Sequence, residues 1–245
     1  MGTAIVITSG KGGTGKTALT CGVGASLARL GKRVLCLDMD VGLRNLDLTM
    51  GMTDRALMDF TDVIFGRCPL ERAAVPHPQV ENLFLLTAPV TWGPIPVSQS
   101  SMGRLMAEIR SRFDYCLIDC PAGIGPGFQL AVCAADRAIV VVTTDSASLR
   151  DAQQVVSQLY RYRIPIQLVV NRISRWMIRR LGLTVDDAMD TAGVPLLGVV
   201  PEERKVALYA AQGELVQLPE SQNAARAWQN IARRLEGRRV PVGLR

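Results

Sequence analysis

Short apolar runs recur along the chain at 4–8, 33–38, 83–88, 115–119, 138–143, 166–171 and 196–200. They are nearly continuous in Val, Ile and Leu rather than alternating with polar residues, which is the pattern of strands buried on both faces. Between most of them apolar residues return at helical spacing, over 16–30, 102–113, 149–162 and 224–235. Strands alternating with helices predict an α/β fold, a doubly wound and mostly parallel sheet flanked by helices. Sheets of this kind bind ligands beyond the C-terminal ends of their strands, so the residues that follow each run are where chemistry is expected.

After the first run the chain reads Gly10-Lys11-Gly12-Gly13-Thr14-Gly15-Lys16-Thr17-Ala18. Residues 10–17 fit G-x-x-x-x-G-K-[ST], and the order strand, glycine loop, helix start is the one a phosphate-binding loop requires. The glycines allow a curve tight enough to turn backbone N–H groups toward phosphate oxygens. Lys16 is expected to reach the β and γ phosphates, and Thr17 to give its hydroxyl to Mg²⁺. The extra lysine, Lys11, has no place in the general motif.

Two further runs end in carboxylates. Residues 34–37 lead into Asp38 and Asp40, and residues 115–118 into Asp119. The second has the form of a Walker B strand, whose aspartate holds Mg²⁺; Asp38 and Asp40 could contact the magnesium shell and the attacking water. Cys120-Pro121-Ala122-Gly123-Ile124-Gly125 follows, either a segment that changes shape with the γ-phosphate or an ordinary strand-to-helix loop. Asn171 and Pro201-Glu202 close two later runs, where amide and backbone groups could hold adenine.

Composition narrows this only in part. The 245 residues are 48% hydrophobic, enough for one α/β domain. No linker, repeat or low-complexity block divides 1–245, which reads as a single P-loop ATPase domain with a short basic tail over 237–245. A formal charge of +6 permits nucleic acid or an anionic membrane as partner without choosing between them. Cys21, Cys36, Cys68, Cys116, Cys120 and Cys133 contain no C-x-x-C pair, and with no secretory signal they suit a reduced cytoplasmic interior. The uncharged stretch 82–103 is interrupted by Pro89, Pro94 and Pro96 and cannot be a spanning helix. Its segment 89–96, which contains Trp92, reads as a surface loop.

With these residues in place, the chain resembles the deviant Walker A, ParA/MinD-type ATPases of the SIMIBI-type P-loop fold, and among them the division-site branch. Ser9 to Thr17 is common to that superfamily. More specific is Asp38-Met39-Asp40-Val41-Gly42-Leu43-Arg44-Asn45-Leu46-Asp47, with Cys120 to Ile124 resembling switch II, Leu149-Arg150-Asp151 a helix start at the dimer and partner face, and Val200-Pro201-Glu202 an adenine-side loop. The resemblance implies a slow, partner-stimulated ATPase that selects the septum site, with ATP/ADP and Mg²⁺ as cofactors. It implies an ATP-bound homodimer in which Lys11 crosses to the partner's phosphates, Lys16 serves its own subunit, Asp40 orients water, Asp119 supports Mg²⁺ and Asn171 holds adenine. It places Arg44, Asn45 and Asp151 on the dimer and partner surface. It further implies a MinC-like inhibitor, a MinE-like activator and attachment from the cytoplasm to the inner face of the plasma membrane.

The family's membrane anchor is a C-terminal amphipathic helix, and Pro241 with Gly243 argues against one here. The basic run Arg233, Arg234, Arg238 and Arg239 leaves weak binding to anionic lipid open. Two other functions share the motifs: a flagellar-number regulator, and a DNA-binding partition ATPase using Arg172, Arg175, Arg179 and Arg180. The run from Gly42 to Asp47 disfavours DNA.

Overall fold

The computed structural model describes residues 1–174 and 185–242. In chain order its elements are β1 Thr3–Thr8, α1 Lys16–Arg29, β2 Val34–Asp38, α2 Asn45–Thr49, α3 Phe60–Ile64, α4 Leu70–Ala73, β3 Val75–Pro76, β4 Leu83–Leu86, α5 Gln99–Arg112, β5 Tyr115–Asp119, α6 Pro126–Val132, β6 Arg137–Val142, α7 Ser146–Leu159, β7 Ile166–Ile173, α8 Val185–Ala192, β8 Leu196–Pro201, α9 Arg204–Ala211 and α10 Asn223–Leu235. The strands form one sheet in the order β3-β4-β2-β5-β1-β6-β7-β8. Every pairing is parallel except that of β3 with β4.

The continuous apolar runs have a direct physical reading. Ile5 and Ile7 of β1 face a core layer shared with α1 and α10, while Ala4 and Val6 face a second layer shared with α5, α6 and α7. Both faces are covered, so neither can be polar. Against the first layer, Trp228 of α10 lies so close to Gly22 of α1 that a Cβ there would collide with the indole. Helix α10 packs against α1 and over β8, and this fixes its apolar face inward, where Trp228, Ile231 and Leu235 are buried.

All seven expected strands are present. The eighth, β3, is two residues long and contains Pro76, a combination that carries no periodicity and is tolerated at a sheet edge. The starts of α5 and α7 are set by caps rather than by apolar spacing. Ser98 accepts from Ser101 N, which starts α5 at Gln99, and Asp145 accepts from Ser148 N, which starts α7 at Ser146. Beyond Leu159 the expected helix tightens into a 3₁₀ turn, Tyr160–Tyr162. Among the described residues, no helix is long and apolar enough to cross a membrane. All six cysteines are unpaired, and all but half-buried Cys133 are buried.

One buried polar side chain joins loops under the sheet edge. His77 Nδ1 accepts from Gln79 N at 3.2 Å and Val80 N at 3.1 Å, so its proton sits on Nε2, 3.1 Å from Met50 O. Burial holds its pKa below the ordinary value, because a second proton would displace two amide donors. The unfolded chain binds that proton more readily, so His77's contribution to stability is complete above about pH 6.5 and is lost as pH falls below it. The chain has 1 histidine, so its ring resonances are unambiguous. They are expected to titrate with a midpoint below about 6.5, and a midpoint at or above that value would contradict the buried neutral ring.

Candidate nucleotide-binding site

The glycine loop closes the C-terminal end of β1 and hands the chain to α1. Gly13 and Gly15 take φ of 78° and 90°, a left-handed backbone that side chains rarely adopt. A Cβ on Gly10 would collide with Asp151 in the second turn of α7, and one on Gly15 with the amide of Asn171 on β7. The loop is thus clasped by its two neighbours. Asn171 Nδ2 completes the clasp by donating to Thr14 O at 2.7 Å. Helix α1 has no side-chain cap, so the N–H groups of its first turn point unpaired into the cradle with the positive end of the helix dipole. Thr14 Oγ1 is buried there without a protein partner, as suits a cradle built for phosphate oxygens.

The two lysines are placed differently. Lys16 is buried, with Nζ donating to Ser9 Oγ at 3.0 Å inside the loop. Lys11 lies at the mouth, its side chain 35% exposed, with Nζ 2.7 Å from Asp145 Oδ1. Asp145 also accepts from Thr143 Oγ1 at 2.5 Å and Ser148 N at 3.0 Å. Partial burial pushes its carboxyl upward, but the hydrogen bonds from Lys11, Thr143 and Ser148 outweigh this and hold it at about 2.

Asp38 and Asp119 end adjacent strands in register and are both buried. Asp119 Oδ2 accepts from Thr17 Oγ1 at 2.6 Å, and Asp38 accepts from Asp40 N at 2.8 Å and Leu46 N at 3.2 Å. Burial, and then the charge of Asp119, raises Asp38 to about 7. Burial likewise raises Asp119 to about 6 against the opposing pull of Thr17 and Lys16. Asp40 is raised by burial and opposed by Lys16. These hard oxygen donors fit Mg²⁺, whose charge would offset both the desolvation and the repulsion of the pair. Thr17, Asp38 and Asp119 would hold it, directly or through water. Among the described residues no group of three or more His, Cys, Asp or Glu side chains could hold a metal alone, in keeping with an ion that completes its shell with water and phosphate.

Beside the loop, between the ends of β7 and β8, lies a cavity of about 690 Å³ lined by Gly15, Ala18, Asn171, Pro201, Glu202 and Trp228 among others. Its size and mixed lining suit a flat base. Arg172, with a left-handed φ of 56°, spans its rim from Gly13 O (3.3 Å) to Glu202 Oε1 (3.3 Å).

The structure therefore gathers residues 10–18, Asp38, Asp40, Asp119, Asn171, Pro201 and Glu202 around one site. Asn171 is engaged with the loop backbone, besides lining the cavity. Arg44 is half-buried and binds Asp47 at 2.8 Å and Ala56 O at 3.2 Å, bracing α2, while Asn45 is exposed and Asp151 backs Gly10. Arg172, read from sequence as a candidate DNA contact, is engaged at the cavity rim, and Arg175, Arg179 and Arg180 lie outside the described residues. Asp145, Thr143, Ser9 and Trp228 are additions. Of these Ser9 stood in the loop motif without a role, and Asp145 had a local signal as a cap residue ahead of a helical run.

The profile of the ParA family, described as NUBPL iron-transfer P-loop NTPase, matches residues 1–236. The septum site-determining protein MinD of Synechocystis is 41% identical over 244 residues, covering 98% of this chain and 92% of its own. That of Bacillus subtilis is 39% identical over 246 residues, covering 99% and 92%. Among solved structures, the MinC:MinD cell division protein complex of Aquifex aeolicus superposes with a TM-score of 0.91 at 40% identity, covering 98% of each chain. MinD complexed with Mg-ADP from Pyrococcus horikoshii gives 0.86 at 30% identity, covering 96% of each.

Asp119→Asn keeps an acceptor for Thr17 but removes a charge from the pair. The substitution is expected to weaken nucleotide binding in the presence of Mg²⁺ by about tenfold or more while changing metal-free binding little, measured by fluorescent-nucleotide titration. Because protons compete with the ion for this raised carboxylate pair, the Mg²⁺-dependent part of wild-type affinity should fall as the pH is lowered from about 7.

Proposed function

The chain belongs to the ParA family of P-loop NTPases and, within it, to the MinD septum site-determining ATPases; from that premise and the site's geometry we propose a nucleotide-switched homodimer. The observation that carries the proposal is the division of labour between the lysines: Lys16 fills its own cradle, and Lys11 stands outside it on Asp145. In the ATP state Lys11 leaves Asp145 and reaches the phosphates of a second copy, where its charge offsets that developing on the transferred phosphoryl group. Mg²⁺, held by Thr17, Asp38 and Asp119 directly or through water, would supply positive charge to offset that of the phosphates. Asp40, at the end of the Asp38 loop, orients the attacking water. Hydrolysis removes the γ-phosphate and with it the reason for Lys11 to stay in the partner, so it returns to Asp145.

A MinC-like inhibitor docks on the dimer near Asn45 and Asp151, by analogy with the complex formed by the Aquifex relative, and a MinE-like activator speeds hydrolysis. The dimer works from the cytoplasm at the inner face of the plasma membrane. Its contact with lipid is electrostatic over the described residues. The apolar face of α10 is spent on the core, and Arg234 is spent on Leu197 O and Val240 O, leaving Arg233, Arg238 and Arg239 for anionic headgroups. Residues 243–245 of the tail lie outside the described residues.

Lys11→Ala tests the switch. The variant is expected to keep nucleotide binding by the monomer and to lose ATP-dependent dimers in light scattering. Dimers of wild-type strength would refute the role given to Lys11.

A further inference from the structure

The loop 89–97 and the start of α6 form an apolar face that the nucleotide site does not use. Val90, Trp92 and Ile95 are 63%, 47% and 61% exposed, and Leu43 and Ile124 beside the phosphate mouth are 67% and 41% exposed. A groove of about 710 Å³ runs between Trp92, Pro94 and Pro96 on one side and Pro126, Gln129 and Leu130 on the other. Exposed large apolar side chains concentrated in this way mark an interaction surface.

The loop is held in place rather than loose. Trp92 meets buried Phe60 edge-on, with ring centroids 6.2 Å apart, and Pro89 O accepts from Gly42 N at 3.4 Å. That bond ties the face to the turn after Asp40. On the other side Gly123 N donates to Ser9 O at 3.2 Å, tying the segment before α6 to the phosphate loop. The apolar face is thus continuous with the mouth where Lys11 sits.

Its charge pattern selects an occupant. No charged residue occurs over 82–103 or 120–135, the stretches that supply both walls, although the chain as a whole carries +6. A twofold interface brings a surface against its own copy, so charges of one sign near the axis repel themselves, whereas an uncharged apolar face is complementary to itself. A charged peptide would gain nothing here. We propose that this face, Leu43, Val90, Trp92, Ile95 and Ile124 with the groove beside α6, is buried against the same face of a second copy of this chain in the ATP-bound dimer. The inference rests on the dimer proposed above and adds to it the apolar contacts that hold it together, which Lys11 alone does not supply.

Ile95→Asp places a charge on the exposed loop that supplies the face, outside the residues that line the nucleotide site. In sedimentation velocity with ATP and Mg²⁺, the dimer dissociation constant of the full chain should rise at least about tenfold, with fluorescent-nucleotide binding to the monomer unchanged. Independently, the part of the tryptophan fluorescence that Trp92→Phe removes should become protected from acrylamide when ATP is added to the wild type. Wild-type dimer strength in Ile95→Asp, or a Trp92 signal equally quenchable with and without ATP, would overturn the proposal and leave the face to another partner. A wild-type chain that stays monomeric with ATP would instead overturn the dimer reading, and this inference with it.

Discussion

The site depends on a loop with no spare room. Gly13 and Gly15 take a left-handed backbone that suits glycine, with Asp151 pressed behind Gly10 and the amide of Asn171 against Gly15. The clasp joins the loop after β1 to β7 and α7, so the phosphate cradle is part of the sheet's packing rather than an appendage to it. From this one constraint the rest follows. The uncapped start of α1 aims its N–H groups at the phosphates, Lys16 is folded inward onto Ser9, and Lys11 is left at the mouth, within reach of Asp145.

Electrostatics then gives the cradle its dependence on cations. Two carboxylates buried side by side are costly, and the rise of Asp38 to about 7 and Asp119 to about 6 records that cost. A divalent ion lowers it, and so does the nearby ammonium of Lys16. At the mouth the balance runs the other way. Asp145 is held ionised by Lys11, Thr143 and Ser148, a local pairing that a partner's phosphates have to outcompete. Sharing one loop between a buried lysine and a half-exposed one is what lets nucleotide occupancy and association be coupled.

Much of this was legible in the chain because the signals are local. The strands announce themselves by unbroken Val, Ile and Leu, the loop by fixed glycine and lysine spacing, and Asp119 by its place at the end of an apolar run. What was hidden depends on residues far apart in sequence. Lys11 and Asp145 are separated by 134 positions, and Asn171 and Thr14 by 157, so neither contact leaves a trace in spacing. Arg44 is instructive: the resemblance implied a partner-face role and said nothing of its ion pair with Asp47 three residues on, which anchors it in the chain's own α2. The strand Val75–Pro76 is too short for any period, and the loop 89–96 reads as exposed without saying why its exposed residues are apolar.

The central claim is that Lys11 acts in the partner's site, and mixing two inactive variants tests it most directly. Lys11→Ala lacks the crossing lysine but keeps Asp40, and Asp40→Ala lacks the water-orienting carboxylate but can lend its Lys11. In the mixed dimer one site holds Asp40 together with a lysine from the other chain. ATP hydrolysis that returns on mixing, where neither variant alone shows it, is the predicted result. A mixture as inactive as its components would mean that Lys11 serves its own chain, contrary to the account.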